Sequence, residues 1–171
     1  PAEVPPPQGA HVVRVETASE MLEAVENALP AHAAVFAAAV ADWRIRGASD
    51  QKIKKGPDGP PTLEFDENPD ILALISAMDA PRPPLVVGFA AETENVIENA
   101  TAKRARKGCD WIVANDVSPE TGIMGGAENK VVIISEAGAE DWPRMSKAEV
   151  AEKLAARIAE VLADLPAPKM L

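Results

Sequence analysis

Five short stretches of the sequence set charged or polar side chains where they can act on a ligand. Asp42 follows the apolar run 33–41. A carboxylate there can hold a ribose hydroxyl, a base amine or a metal ion, or simply hydrogen-bond a loop. Lys52, Lys54 and Lys55 lie in a polar stretch. A lysine on a movable segment can close over a triphosphate or an acyl phosphate and neutralise charge as it develops; a solvated basic strand gives the same pattern. Asn68-Pro69-Asp70-Ile71 makes a turn directly before a helix, so Asp70 can meet a ligand or serve only as a helix-start carboxylate. Gly88-Phe89-Ala90-Ala91-Glu92-Thr93 ends an apolar strand with small residues that let a ligand reach the backbone, and Phe89 can cover a base or fill a core. Lys103 and Lys107 share one face of a helix, suited to phosphates, to ribose or to solvent.

Those side chains need elements to carry them. Residues 11–17 alternate apolar and polar, which predicts a strand. Thr17 and Glu20 form a capping box that opens a helix running to about residue 29, where Pro30 stops it. The run 33–41 predicts a strand buried on both faces. Residues 43–67 break the pattern and read as a flap or antiparallel hairpin. A short helix over 70–78, a strand over 85–90, a helix over 95–107 closed by Gly108, and a strand over 111–114 follow. After a glycine-rich loop at 117–128 come the last predicted strand, 130–135, and a helix from the Ser146/Glu149 capping box to about residue 165. Strand and helix alternate at βαβ spacing. The expected fold is therefore a three-layer α/β domain with a mostly parallel sheet and an antiparallel excursion. Ligands of such sheets bind beyond the carboxyl ends of the strands, which points to residues 40–43, 88–93 and 115–118.

Composition narrows the function. The net charge of −10 argues against nucleic acid as a partner, while the clusters at 52–55 and 103–107 suit a small anionic ligand. One cysteine, Cys109, allows no internal disulfide, which fits the cytoplasm. No apolar run approaches the roughly 18 residues of a membrane span. Walker and GxGxxG loops and metal-binding cysteine clusters are absent, and His11 and His32 have no nucleophile beside them in sequence.

In their order, AAVADWR (38–44), KIKK (52–55), NPDI (68–71), VGFAAET (87–93), KRARKG (103–108), ANDVS (114–118) and GGAENKVVII (125–134) resemble the signature series of bacterial phosphopantothenate–cysteine ligases, also called phosphopantothenoylcysteine synthetases. The resemblance spans nearly the whole chain. It implies a Rossmann-like domain, usually the C-terminal half of a bifunctional coenzyme A biosynthesis protein whose other half is an FMN-dependent decarboxylase. The implied reaction joins cysteine to 4′-phosphopantothenate through an acyl-cytidylate, with CTP as co-substrate and Mg²⁺ accompanying the triphosphate. It implies CTP contacts at Phe36, Ala37, Ala38, Asp42, Lys52, Pro69, Asp70, Ile71, Leu72, Phe89, Lys103 and Lys107. Lys52 is expected to be catalytic, acting on the reacting phosphate and acyl group; metal ligands are not implied. A homodimer is expected, with no membrane or nucleic-acid partner.

The family's domain opens with a strand, a glycine-rich loop and a helix that nothing here matches. Residues 1–171 therefore read as one ligase domain lacking its first βα unit, with 1–9 as a proline-rich lead-in. Two other classes fit parts of the pattern. A Rossmann-type oxidoreductase needs a glycine fingerprint, and a non-catalytic nucleotide-sensing module has no use for flap lysines.

Overall fold

The computed structural model describes residues 7–47, 62–123 and 125–164. In chain order the elements are α1 (Ala18–Asn27), β1 (Ala33–Phe36), β2 (Trp43–Ile45), β3 (Phe65–Glu67), α2 (Ile71–Ser76), β4 (Leu85–Glu92), α3 (Val96–Lys107), β5 (Trp111–Asp116), β6 (Glu128–Asn129), β7 (Val131–Ser135), β8 (Gly138–Asp141), β9 (Met145–Ser146) and α4 (Lys147–Asp164). They fall into two compact units, one drawn from Pro1–Ala28 and Val40–Pro69, the other from Leu29–Ala39 and Asp70–Leu171.

In the first unit α1 begins as its sequence dictates. Thr17 Oγ1 accepts the Glu20 N–H at 3.1 Å, and Glu20 Oε2 accepts the N–H groups of Glu16 and Thr17 at 2.8 and 3.0 Å. Those backbone donors, Glu16 foremost, hold the Glu20 carboxyl below its ordinary range. The strand predicted over 11–17 does not form. Val12, Val13 and Val15 are 50%, 57% and 38% exposed, and the segment has no ladder among the described residues. Alternation yields a strand only where a neighbour takes up its backbone donors and acceptors. The expected hairpin is present: β2 and β3 pair antiparallel, Trp43 opposite Glu67 and Ile45 opposite Phe65. Lys52, Lys54 and Lys55 lie outside the described residues.

The second unit is built on a five-stranded sheet of order β1-β4-β5-β7-β8. One side of it is parallel: β1 with β4, and β4 with β5. Strands β7 and β8 then run antiparallel to their neighbours. Alternation sends Leu85, Val87, Trp111, Val113, Val131 and Ile133 to one face, where they form a core with Val150 and Leu154 of α4. Val86, Gly88, Ile112 and Ile134 take the other face, against which α2 and α3 pack. The predicted three layers result. Two cations of α4 lie over tryptophan rings, Lys153 Nζ 4.3 Å from the Trp142 centroid and Arg157 5.7 Å from that of Trp111. Ser146 and Glu149 form the second capping box, with bonds of 2.8 and 3.2 Å.

Three further expectations are corrected. The strand expected over 33–41 ends at Phe36, because its ladder with β4 stops at the Phe36–Gly88 pair. Helix α2 is shorter than 70–78, its first residue preceded by the Asp70 cap. Strand 130–135 is not the last, since β8 and β9 follow it.

The amino ends of β4 and β5 are locked by polar bonds. Arg82 donates to the Ser76 carbonyl (2.8 Å), the Pro83 carbonyl (2.8 Å) and Asp110 Oδ2 (3.0 Å). The same Asp110 oxygen accepts the Val86 N–H at 2.7 Å, and Arg104 donates to the Asp110 carbonyl at 2.8 Å. No helix of the described residues is long and apolar enough to cross a membrane.

Candidate functional site

The start of α2 gathers residues that the sequence holds far apart. Asp70 is the N-cap; its Oδ1 accepts the Ala73 N–H at 3.1 Å, satisfying one of the first-turn amides. Its other oxygen, Oδ2, pairs with Lys107 Nζ, 37 positions later in the sequence. Burial pushes the Asp70 carboxyl up, but the bonds from Lys107 and Ala73 outweigh it and hold the group below the ordinary 3.8. Lys107 arrives there because α3 ends at that point. Gly108 caps it at φ +68°, a left-handed conformation suited to glycine, and donates its N–H to the Arg104 carbonyl at 2.9 Å. Lys103, one turn earlier, is half-buried on the same helix. Asp70 is therefore the helix-start carboxylate that one of its two sequence readings gave, and it also pairs with Lys107, which neither reading gave.

The other expected residues are distributed as follows. Leu72 lies over Gly88 on the α2 side of the sheet, and Phe36, in register with Gly88, faces the same side. Ile71 is 5% exposed and belongs to the core. Phe89 alternates to the opposite face and packs against the α4 core, so its ring does core work. Ala37 and Ala38 are exposed beyond β1. Asp42 and Pro69 belong to the first unit. There the Asp42 carbonyl accepts the Asn68 N–H at 2.8 Å, and Asn68 Nδ2 donates to the Ala41 carbonyl at 2.9 Å. Asn68 thus clips the base of the hairpin, a role that its motif did not announce.

The carboxyl ends of β4 and β5 carry a second polar group, within the 88–93 and 115–118 segments that the sheet rule singled out. Glu92 and Asp116 stand in register, and Val117 N–H donates to the Glu92 carbonyl at 2.8 Å. Asp116 Oδ1 accepts from the Ser118 hydroxyl (2.6 Å) and N–H (3.0 Å), which hold its carboxyl below the ordinary range. Asn129 Nδ2 donates to Asn115 Oδ1 at 3.2 Å, and Asn129 Oδ1 is buried without a partner among the described residues. Asn129 was legible only as part of the GGAENK string. No group of three or more His, Cys, Asp and Glu among the described residues is placed to hold a metal ion.

A sheet of parallel and antiparallel pairs with helices on both faces, polar groups at its strand ends and a carboxylate–lysine pair at the start of one helix defines a three-layer, Rossmann-like α/β domain. Residues 1–162 match the family model described as the DNA/pantothenate metabolism flavoprotein C-terminal domain, and the chain belongs to that family. It is 38% identical over 149 residues to the coenzyme A biosynthesis bifunctional protein CoaBC of Vibrio cholerae, covering 86% of this chain and 37% of that protein. The CoaBC of Thermococcus kodakarensis is 37% identical over 157 residues, covering 88% and 37%. The chain thus spans well under half the length of these relatives. A crystal structure of the C-terminal domain of CoaBC superposes with a TM-score of 0.74 at 31% identity, covering 96% of this chain and 72% of that one. The DNA/pantothenate metabolism flavoprotein from Streptococcus pneumoniae shares the fold, with a TM-score of 0.70 at 16% identity over 92% and 76% of the two chains.

Proposed function

We propose that this chain is the ligase part of a coenzyme A biosynthesis enzyme and joins cysteine to 4′-phosphopantothenate at the expense of CTP. The observation that carries the reading is the meeting of Asp70 and Lys107. Two motifs of the family series, NPDI and KRARKG, converge on one point at the head of α2. Lys107, with Lys103 one turn away, offers cationic donors to phosphate or ribose oxygens, and Asp70 keeps Lys107 oriented until the ligand arrives. In the proposed reaction a substrate carboxylate oxygen attacks the α-phosphorus of CTP and pyrophosphate leaves, giving an acyl-cytidylate. The amine of cysteine then attacks the acyl carbon, CMP leaves, and the amine gives up a proton.

The protein's task in such a transfer is to orient the reactants and offset charge. Lys52, together with the remaining positions of the series, is assigned to the same nucleotide. Magnesium, which prefers oxygen donors and keeps several waters, would accompany the triphosphate and offset its charge; the carboxylates at the strand ends are Glu92 and Asp116. FMN would be needed only by a decarboxylase half, where one is fused.

A second copy of the chain is the proposed partner of the hairpin. Trp43, Ile45 and Phe65 share one of its faces at 57%, 43% and 55% exposure, while Arg44, Arg46 and Asp66 take the other. Sedimentation should give a dimer for the chain and a monomer for Trp43→Ser; a monomeric parent refutes the pairing. For the nucleotide, calorimetry should show CTP binding more tightly than ATP, and Lys107→Ala weakening CTP. Equal affinity for CTP and ATP overturns the nucleotide assignment.

A further inference from the structure

Gly88 is buried in the sheet between Phe36 of β1 and Ile112 of β5. Its φ is not positive, so the backbone does not call for glycine there. The space does. A Cβ on Gly88 would stand 2.5 Å from Leu72 Cδ2 and 3.0 Å from Ile112 Cδ1, closer than real Cβ atoms tolerate in the first case. From sequence, the small residue suggests room for a ligand against the backbone. On this face the room is taken by Leu72.

Leu72 is the second residue of α2, a helix of six residues. A helix so short has little stability of its own and takes its position from what it packs on. Its far end is fixed by Arg82, which donates to the Ser76 carbonyl at 2.8 Å. Its near end rests on the side chain of Leu72 in the notch left by Gly88. We infer that Gly88 is a positioning residue for the 69–72 turn: its missing side chain seats Leu72, and through Leu72 it holds Asp70 against Lys107. Only the ligand arm of the test rests on the proposed CTP site. A side chain at 88 must displace the tip of Leu72, and where the leucine rotamer holds, the first turn of α2 moves with it. Shortening Leu72 relieves the clash.

The experiment compares the parent chain, Gly88→Ala, Leu72→Ala and the double variant. Without nucleotide, amide exchange is read at Ala73 and Leu74, whose N–H groups donate to the Asp70 side chain and carbonyl at 3.1 and 2.9 Å. Exchange there should quicken by roughly tenfold in Gly88→Ala while the β5 amides stay protected. The double variant should be slower than Gly88→Ala. With CTP, Gly88→Ala should lose roughly ten- to a hundredfold in affinity, partly recovered in the double variant. Parent-like exchange in Gly88→Ala, or losses in the double variant equal to the two single losses combined, overturns the inference. If the parent binds no CTP, the functional reading falls, and amide exchange alone decides the role of Gly88.

Discussion

The hairpin and the sheet use the same alternation to different ends. In β5, Trp111 and Val113 point to the α4 core and Ile112 to the α2 face, and all three are buried. In β2 and β3 the apolar side chains Trp43, Ile45 and Phe65 are as regularly placed and remain largely exposed, while Arg46 on the other side pairs with Glu64 and Asp66. A period of two tells which side chains travel together. It does not tell whether anything covers them. In the sheet the cover comes from helices of the same chain. The hairpin's apolar face has none among the described residues of its own unit, so its alternation is better read as a surface than as a core.

The sharpest way to break this contrast is to truncate one residue from each region. Ile112→Ala, at 0% exposure, should cost about 2–5 kcal/mol in denaturant unfolding. Phe65→Ala, at 55% exposure, should cost well under ~1 kcal/mol at protein concentrations where the chain is monomeric. Equal costs would mean that the hairpin face is covered after all.

A smaller loss is expected from Arg82→Ala. It removes the guanidinium from the Ser76 carbonyl and from Asp110, which keeps only the Val86 N–H on that oxygen, and should cost about 1.5–3 kcal/mol, since charged hydrogen bonds in part-buried places are among the stronger ones. No loss would show that the locked amino ends of the strands contribute less than the packed faces.

A small effect is expected at Asp70. Asparagine caps a helix about as well, so Asp70→Asn removes the charge and leaves the cap. The folded carboxyl titrates below 3.8, so its stabilising charge is fully present above that value and is lost as pH falls through the lower, folded one. The parent should therefore melt above the variant at neutral pH, and the gap should close as pH drops below 3.8. With the Asp70 side chain 45% exposed, the gap should stay below about 1 kcal/mol and shrink in salt. A gap that widens in acid would show that Lys107 does not stabilise the carboxylate.

Much of the fold was legible because its signals are local. Both capping boxes formed as read, and Gly108 closes α3, since each needs only residues three or four apart. The buried strands β4 and β5 announced themselves as continuous apolar runs. What failed depends on neighbours. Residues 11–17 alternate properly and pair with nothing described. Strand β8, of sequence Gly-Ala-Glu-Asp, has no apolar signature and exists because β7 offers it an edge. The antiparallel sense of β7 is likewise invisible, because a run of Val and Ile suits either direction. In the candidate site, residue types were readable and partnerships were not. Nothing in the spacing says that Lys107 meets Asp70, or that Leu72 rather than a ligand lies on Gly88.

The three tryptophans divide in a way that makes the chain its own optical probe. Trp43, in the hairpin, is 57% exposed, whereas Trp111 and Trp142 are 8% and 1% exposed beneath the cations of α4. A soluble quencher such as acrylamide should dim the red-edge emission of Trp43 and leave the bluer pair bright. Occupation of the hairpin face would then shield the one, and loosening of α4 would redden the other two. Changes in the two regions can thus be followed separately in the same cuvette, with no label attached.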